Sequence, residues 1–102
     1  MYRKITEKEF YGFAEKPVVL IKFGATWCGP CKMADKILEQ IGAEHHDAEI
    51  VSVDVDENPA LASALNITTI PFAVRMENGK IIEQIHGLQT KAKYMQMAGI
   101  VD

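Results

Sequence analysis

The sequence predicts an α/β domain built on a central mixed β-sheet flanked by helices, and three features imply it. Val18-Val19-Leu20-Ile21-Lys22-Phe23 is a nearly continuous apolar, β-branched run, the pattern of a strand buried on both faces in the middle of an α/β sheet. Helical and strand-like segments then follow in the order helix, strand, helix, strand, helix, hairpin, helix. Right-handed crossovers make the first part of such a chain parallel. Finally, Glu77-Asn78-Gly79-Lys80 has strong hairpin chemistry, so the last two strands are antiparallel neighbours.

The elements follow in chain order. Met1 to Lys4 can add a short edge strand. Thr6-Glu7-Lys8-Glu9 fits a capping box opening a helix to about Ala14, with Phe10, Phe13 and Ala14 on its apolar face, because the Thr6 hydroxyl and Glu9 carboxylate serve free N–H groups. Lys16-Pro17 breaks that helix before the buried run. A second helix begins at Cys28 and Cys31, where Pro30 is tolerated, and places Met33, Ala34, Ile37, Leu38 and Ile41 at helical spacing until Gly42 supplies a stop.

A polar connection, Ala43 to Ala48, leads to the alternating strand Glu49 to Val55. Asn58 as N-cap and Pro59 at the first helical position open a short helix through Leu65. Ile67 to Pro71 is a turn into the strand Phe72 to Met76, and the hairpin returns as Ile81 to Ile85. Gly87 and Thr90 precede a last helix, Lys91 to Ala98, with Tyr94, Met95 and Ala98 available for packing.

With 102 residues, the chain has room for one modest core, so residues 1–102 are expected to form a single domain. It is 48% apolar and 25% charged with a net charge of −3, an ordinary globular profile. No Lys/Arg cluster supplies the footprint of a nucleic-acid binder. Met1 to Phe10 lacks the apolar centre of a signal peptide, and nothing approaches the length of a membrane span. A cytoplasmic protein acting as a monomer is expected, with neither nucleic acid nor a membrane as partner.

Cys28 and Cys31 are the only cysteines. A bridge between them closes so short a loop that it removes little chain entropy, which makes them poor structural staples; in a reducing compartment such a pair serves redox chemistry or metal binding. Trp27-Cys28-Gly29-Pro30-Cys31 lies where a buried strand ends and a helix begins. Cys28 therefore meets the positive end of the helix dipole and free N–H groups, which favour a thiolate, the nucleophile in disulfide exchange. Two intervening residues keep the second cysteine close enough to resolve a mixed disulfide.

A bare C-x-x-C also begins many zinc sites. Zinc needs two further donors, and the adjacent His45 and His46 lack the usual spacing and fall at the far end of the helix; no metal is expected. His45, His46 and His86 otherwise read as ordinary polar residues, Lys32 as a solvated helix residue, and the methionines as core or boundary filler.

In the motif Trp27-Cys28-Gly29-Pro30-Cys31-Lys32-Met33, in Val53-Asp54-Val55-Asp56-Glu57-Asn58-Pro59, and in Thr69-Ile70-Pro71, Asn78-Gly79 and Gly87, the chain closely resembles the thioredoxin family over nearly its whole length. The resemblance implies a thioredoxin-like fold and a thiol–disulfide oxidoreductase that reduces protein disulfides through a redox-active Cys28–Cys31 pair. It makes Cys28 the exposed attacking cysteine and Cys31 the more buried, resolving one. It also makes Pro71 a cis-proline facing them, with the backbone of Ile70 pairing with an extended substrate segment. Trp27, Gly29, Pro30, Ile70 and Gly87 then form a shallow apolar surface around the sulfur. No cofactor is bound in such proteins; electrons come from thioredoxin reductase, with its flavin and NADPH, or from another dithiol donor.

The chain departs from that family at four places. Lys22 stands where the family has a buried aspartate six positions before the attacking cysteine, and Ser52 replaces that acid's usual lysine partner. Gly24 occupies a position where tryptophan is common, and Lys36 one where a helix-kinking proline is common. Three outcomes are open for Lys22. A charged ammonium near the sulfurs favours the thiolate, a neutral amine accepts the proton from Cys31 as base, and a snorkelling side chain carries its charge to water and leaves the cysteines untouched. These departures motivate a second reading, a partner-specific redox carrier or a non-catalytic binding module of the same fold.

Overall fold

In the computed structural model, which describes residues 2–100, the elements run β1 (Tyr2–Lys4), α1 (Glu7–Ala14), β2 (Val19–Gly24), α2 (Gly29–Glu44), β3 (Ile50–Asp54), α3 (Pro59–Ala64), β4 (Phe72–Glu77), β5 (Lys80–His86) and α4 (Lys91–Met97). The edge strand expected from Met1 to Lys4 is present over Tyr2–Lys4, and Met1 lies outside the described residues. The sheet order is β1-β3-β2-β4-β5. β2 pairs parallel with β3 and antiparallel with β4, so the parallel portion and the hairpin meet at the nearly all-apolar run. Every residue of β2 is buried, as required of a central strand covered on both faces.

The period-two alternation of β2 divides the core. Val19, Ile21 and Phe23 join Phe10 of α1 and Leu61 of α3 on one face. Leu20 joins Leu38 and Ile41 of α2 and Tyr94 and Met97 of α4 on the other. By the same alternation Lys22 and Gly24 face α2, not α1. Among the described residues, no helix is long and apolar enough to cross a membrane.

The local chemistry behaves as expected at α1 and at the hairpin. Thr6 caps α1 in a capping box with Glu9, and the Thr6 N–H, with Arg3 helping, holds the Glu9 carboxyl below its ordinary value. That contribution is present at neutral pH and is lost as the pH falls through the depressed folded-state value. Asn78 and Gly79 both have positive φ, 51° and 82°, the geometry that lets a two-residue turn match the twist of paired strands.

Two expectations fail locally, and a third holds in position but not in its side-chain bond. Gly42 does not end α2, which continues to Glu44 and is capped at His45. Ala43 and Glu44 are good helix formers, Gly42 is buried within the helix, and Lys91 of α4 pairs with Glu44 at 2.7 Å, so tertiary contact offsets the roughly 1 kcal/mol that a helical glycine costs. Met33 is 49% exposed and is not core. Asn58 is the N-cap of α3 with Pro59 following, but its side chain makes no cap hydrogen bond; its Oδ1 accepts the Glu7 N–H at 2.8 Å and its Nδ2 donates to the Asp54 carbonyl at 2.9 Å. Asn58 thus ties the start of α1 to the end of β3. Asn58→Ala, which strands the Glu7 N–H while the Asp54 carbonyl keeps the Asn58 backbone N–H at 3.1 Å, is expected to lower stability by about 1–2 kcal/mol in a denaturant titration.

Candidate active site

The end of β2 and the start of α2 place the cysteines. Cys28 is the N-cap of a helix of 16 residues, with extended backbone, and its Sγ accepts the N–H of Cys31 at 3.2 Å. Pro30 in the first turn has no N–H to leave unpaired. The long helix therefore points its positive end at Cys28. Cys28 and Cys31 are joined as a disulfide, with Cα atoms 5.2 Å apart. The exposed Cys28 that the resemblance implies is not found: Cys28 is buried at 6% exposure, against 1% for Cys31. Both are sheltered because Ala25, Val55 and Ile70 pack around them.

The loop before β4 faces this pair. The Ile70–Pro71 bond is cis, as the resemblance implies, and Ile70 is half-buried against the cysteine cluster while Pro71 is buried. The Gly87 N–H donates to the Pro71 carbonyl at 2.8 Å; Gly87 has φ 82°, a conformation that favours glycine. Trp27 is 69% exposed beside the pair, and its Nε1 donates to Asp56 Oδ2 at 2.7 Å. Gly29, Pro30 and Lys32 are exposed at the helix start. His86 hydrogen-bonds Thr69 Oγ1 at 2.7 Å and packs on the Phe72 ring, which ties β5 to the same loop, whereas His45 and His46 lie at the far end of α2.

Beneath the pair, Lys22 does not snorkel. Its side chain is 5% exposed, and Nζ lies 2.8 Å from Asp35 Oδ1. The Tyr2 hydroxyl donates to the same carboxylate oxygen, and burial, followed by this contact with Asp35, raises the phenol well above its ordinary value. Lys22 pairs in register with Ser52 on β3 and Ala73 on β4. A cavity of about 400 Å³ opens alongside, its walls including Lys22, Gly24, Lys32, Asp35 and Asp54. Asp54 is buried and accepts the N–H groups of Asp56 and Glu57.

Asp35, Tyr2 and Asp56 are site neighbours that the sequence reading missed. A signal existed for Asp35: it follows Cys31 by four residues on a helix, so the two share a face, and the face that carries Cys31 is turned to β2.

A cysteine pair bridged at a helix N-terminus, at the end of the central strand of a mixed sheet and against a cis-proline loop, defines a protein of thiol–disulfide exchange. Comparison with known proteins agrees. The thioredoxin family profile matches residues 2–99. A thioredoxin of Staphylococcus aureus is 38% identical over 89 residues, 86% of either chain. The solved structure of a mutant thioredoxin from Halobacterium salinarum superposes with TM-score 0.84 at 34% identity, covering 99% of this chain and 91% of that one. A Malassezia sympodialis thioredoxin gives 0.82 at 31% identity, with 95% and 93% covered. The chain belongs to the thioredoxin family and is a thiol–disulfide oxidoreductase whose redox pair is Cys28 and Cys31.

Proposed function

We propose that this chain is a cytoplasmic reductase of disulfides in other proteins, with Cys28 attacking and Cys31 resolving. The observation that carries the assignment is the position of Cys28 as N-cap of α2, the less buried of the two cysteines. The Cys28 thiolate attacks one sulfur of the target disulfide, and the other leaves as a thiolate. Cys31 then attacks the Cys28 sulfur, the bond to the target breaks, and the target receives the second thiolate. Two electrons have passed to the target, and the pair ends as the disulfide.

Trp27, Ile70, Pro71 and Gly87 form the surface for an extended target segment, Gly29 and Pro30 shape the turn that presents Cys28, and Lys22 supports the site from beneath. The exposed indole of Trp27 and the Ile70 side chain packed on the cysteines support this placement. Residues 1–102 act as one domain and as a monomer, with no metal and no bound cofactor. Thioredoxin reductase, through flavin and NADPH, or another dithiol donor returns the pair to the dithiol.

The test is catalytic reduction of an accessible protein disulfide, with a dithiol as donor. Turnover that depends on both cysteines is expected; an oxidised pair that no dithiol reduces, with no activity on the test disulfide, overturns the reading. The pairing of buried Lys22 with the partly exposed Asp35 favours a second reading, a partner-specific carrier or binding module. Replacing both cysteines by serine separates them, because a binding module keeps its cellular role and a reductase loses it.

A further inference from the structure

We propose that Asp35 is a positioning residue for the exchange reaction, holding Lys22 in its charged form beneath Cys31 in a space that Gly24 leaves open. This rests on the exchange chemistry assigned to the cysteine pair. Three observations meet at one point. A Cβ placed on Gly24 would lie 2.6 Å from Lys22 Nζ and 3.1 Å from the Cys31 Cβ, so the ammonium and the cysteine flank the same spot. Gly24 does not have positive φ, so it is space and not backbone conformation that requires glycine there. Nζ then ends on Asp35 Oδ1 at 2.8 Å, one turn beyond Cys31 on the same helix.

Burial alone favours a neutral amine, and a carboxylate in contact favours the ammonium. The other charged or titratable groups around the pair are already engaged or lie at its margin. From β1, the Tyr2 hydroxyl donates to Asp35, and Lys4 pairs with Glu57 at 3.0 Å. From β3, Asp54 caps the turn that follows it. From α4, Tyr94 is raised by burial, with its hydroxyl accepting the Gln89 N–H and Asp35 adding a smaller upward effect. Lys32 is exposed on the cavity rim.

A charged Lys22 stabilises the Cys31 thiolate. Cys31 releases its proton to solvent, its sulfur takes the Cys28 sulfur, and the electron pair of the broken bond leaves on the target's thiolate. The Lys22–Asp35 pair supplies no electrons; it raises the fraction of Cys31 ready to attack, and by stabilising the reduced form it makes the disulfide more oxidising.

Thiolate absorbance in a Cys28→Ser background reads Cys31 alone, whichever cysteine attacks, so its outcome is separate from that of the reductase assay. Lys22→Met is expected to raise the titration midpoint by at least about one pH unit, a tenfold loss of thiolate below it. Asp35→Asn carries the decisive sign. Removing a negative charge by itself lowers a thiol midpoint, whereas releasing the lysine's proton raises it; a rise is expected, and Lys22→Met with Asp35→Asn should rise no further than Lys22→Met alone. Asp35 has a side chain 38% exposed, so the deciding substitution, Asp35→Asn, lies outside the core, unlike Lys22→Met. A midpoint that falls or stays in Asp35→Asn, or stays in Lys22→Met, overturns the proposal.

Discussion

Cys31→Ser is expected to accumulate a covalent complex with a disulfide-bearing target, joined through Cys28, and to lose multiple turnover entirely. The reason is positional. Cys28 sits at the mouth of the helix dipole with 6% exposure, whereas Cys31 lies inside the first turn at 1% and contributes its N–H to Cys28 Sγ at 3.2 Å. A thiolate at Cys28 is stabilised by that N–H and by the dipole, so attack is expected to begin there, with the mixed disulfide waiting for Cys31. A serine hydroxyl cannot displace the target, and the complex persists. Cys28→Ser should give neither turnover nor a trapped complex. Non-reducing gels of the two variants with one target check the order of attack; trapping through Cys31 in Cys28→Ser would reverse it.

What could be read from the sequence divides along the distance over which a residue acts. The central strand was legible because a strand buried on both faces must be apolar throughout, and Val19 to Phe23 is so except for Lys22. The hairpin was legible because Asn78 and Gly79 adopt positive φ at little cost, and the redox pair because its motif is contiguous. The failures are residues whose partners lie far along the chain. Asn58 is the cap that local chemistry predicts, but its side-chain amide serves Glu7, 51 positions away, instead of α3. Gly42 looks like a stop, yet the helix continues where Glu44 meets Lys91.

Lys22 is the sharpest case. Sequence reading left it charged, neutral or snorkelling, and what decided against snorkelling was a carboxylate on another element. Helical periodicity places Asp35 under Cys31, but only the packing of α2 on β2 brings that face to Lys22.

Phe23→Ala is expected to have the largest effect on stability. The ring is fully buried, 6.3 Å from the centroid of Phe10 and 6.2 Å from that of Phe72. It therefore joins α1, the central strand and β4 in one contact. Truncating a buried phenylalanine removes its transfer energy and leaves a cavity, together about 3–5 kcal/mol. Against a total of about 5–15 kcal/mol for a domain, that is a large share, and at about 4–8 °C per kcal/mol the melting temperature should fall by at least about 12 °C. The neighbouring Lys22 and Gly24 point to the opposite face of the sheet. Below its melting temperature, the variant should therefore keep the parent's thiolate titration while losing stability, the reverse of what is expected of Asp35→Asn. Thermal unfolding followed by circular dichroism, with titration of the same samples, separates the two faces. A loss below about 1 kcal/mol would mean that the Phe10 and Phe72 rings close the cavity, and a displaced midpoint that the two faces of β2 are coupled.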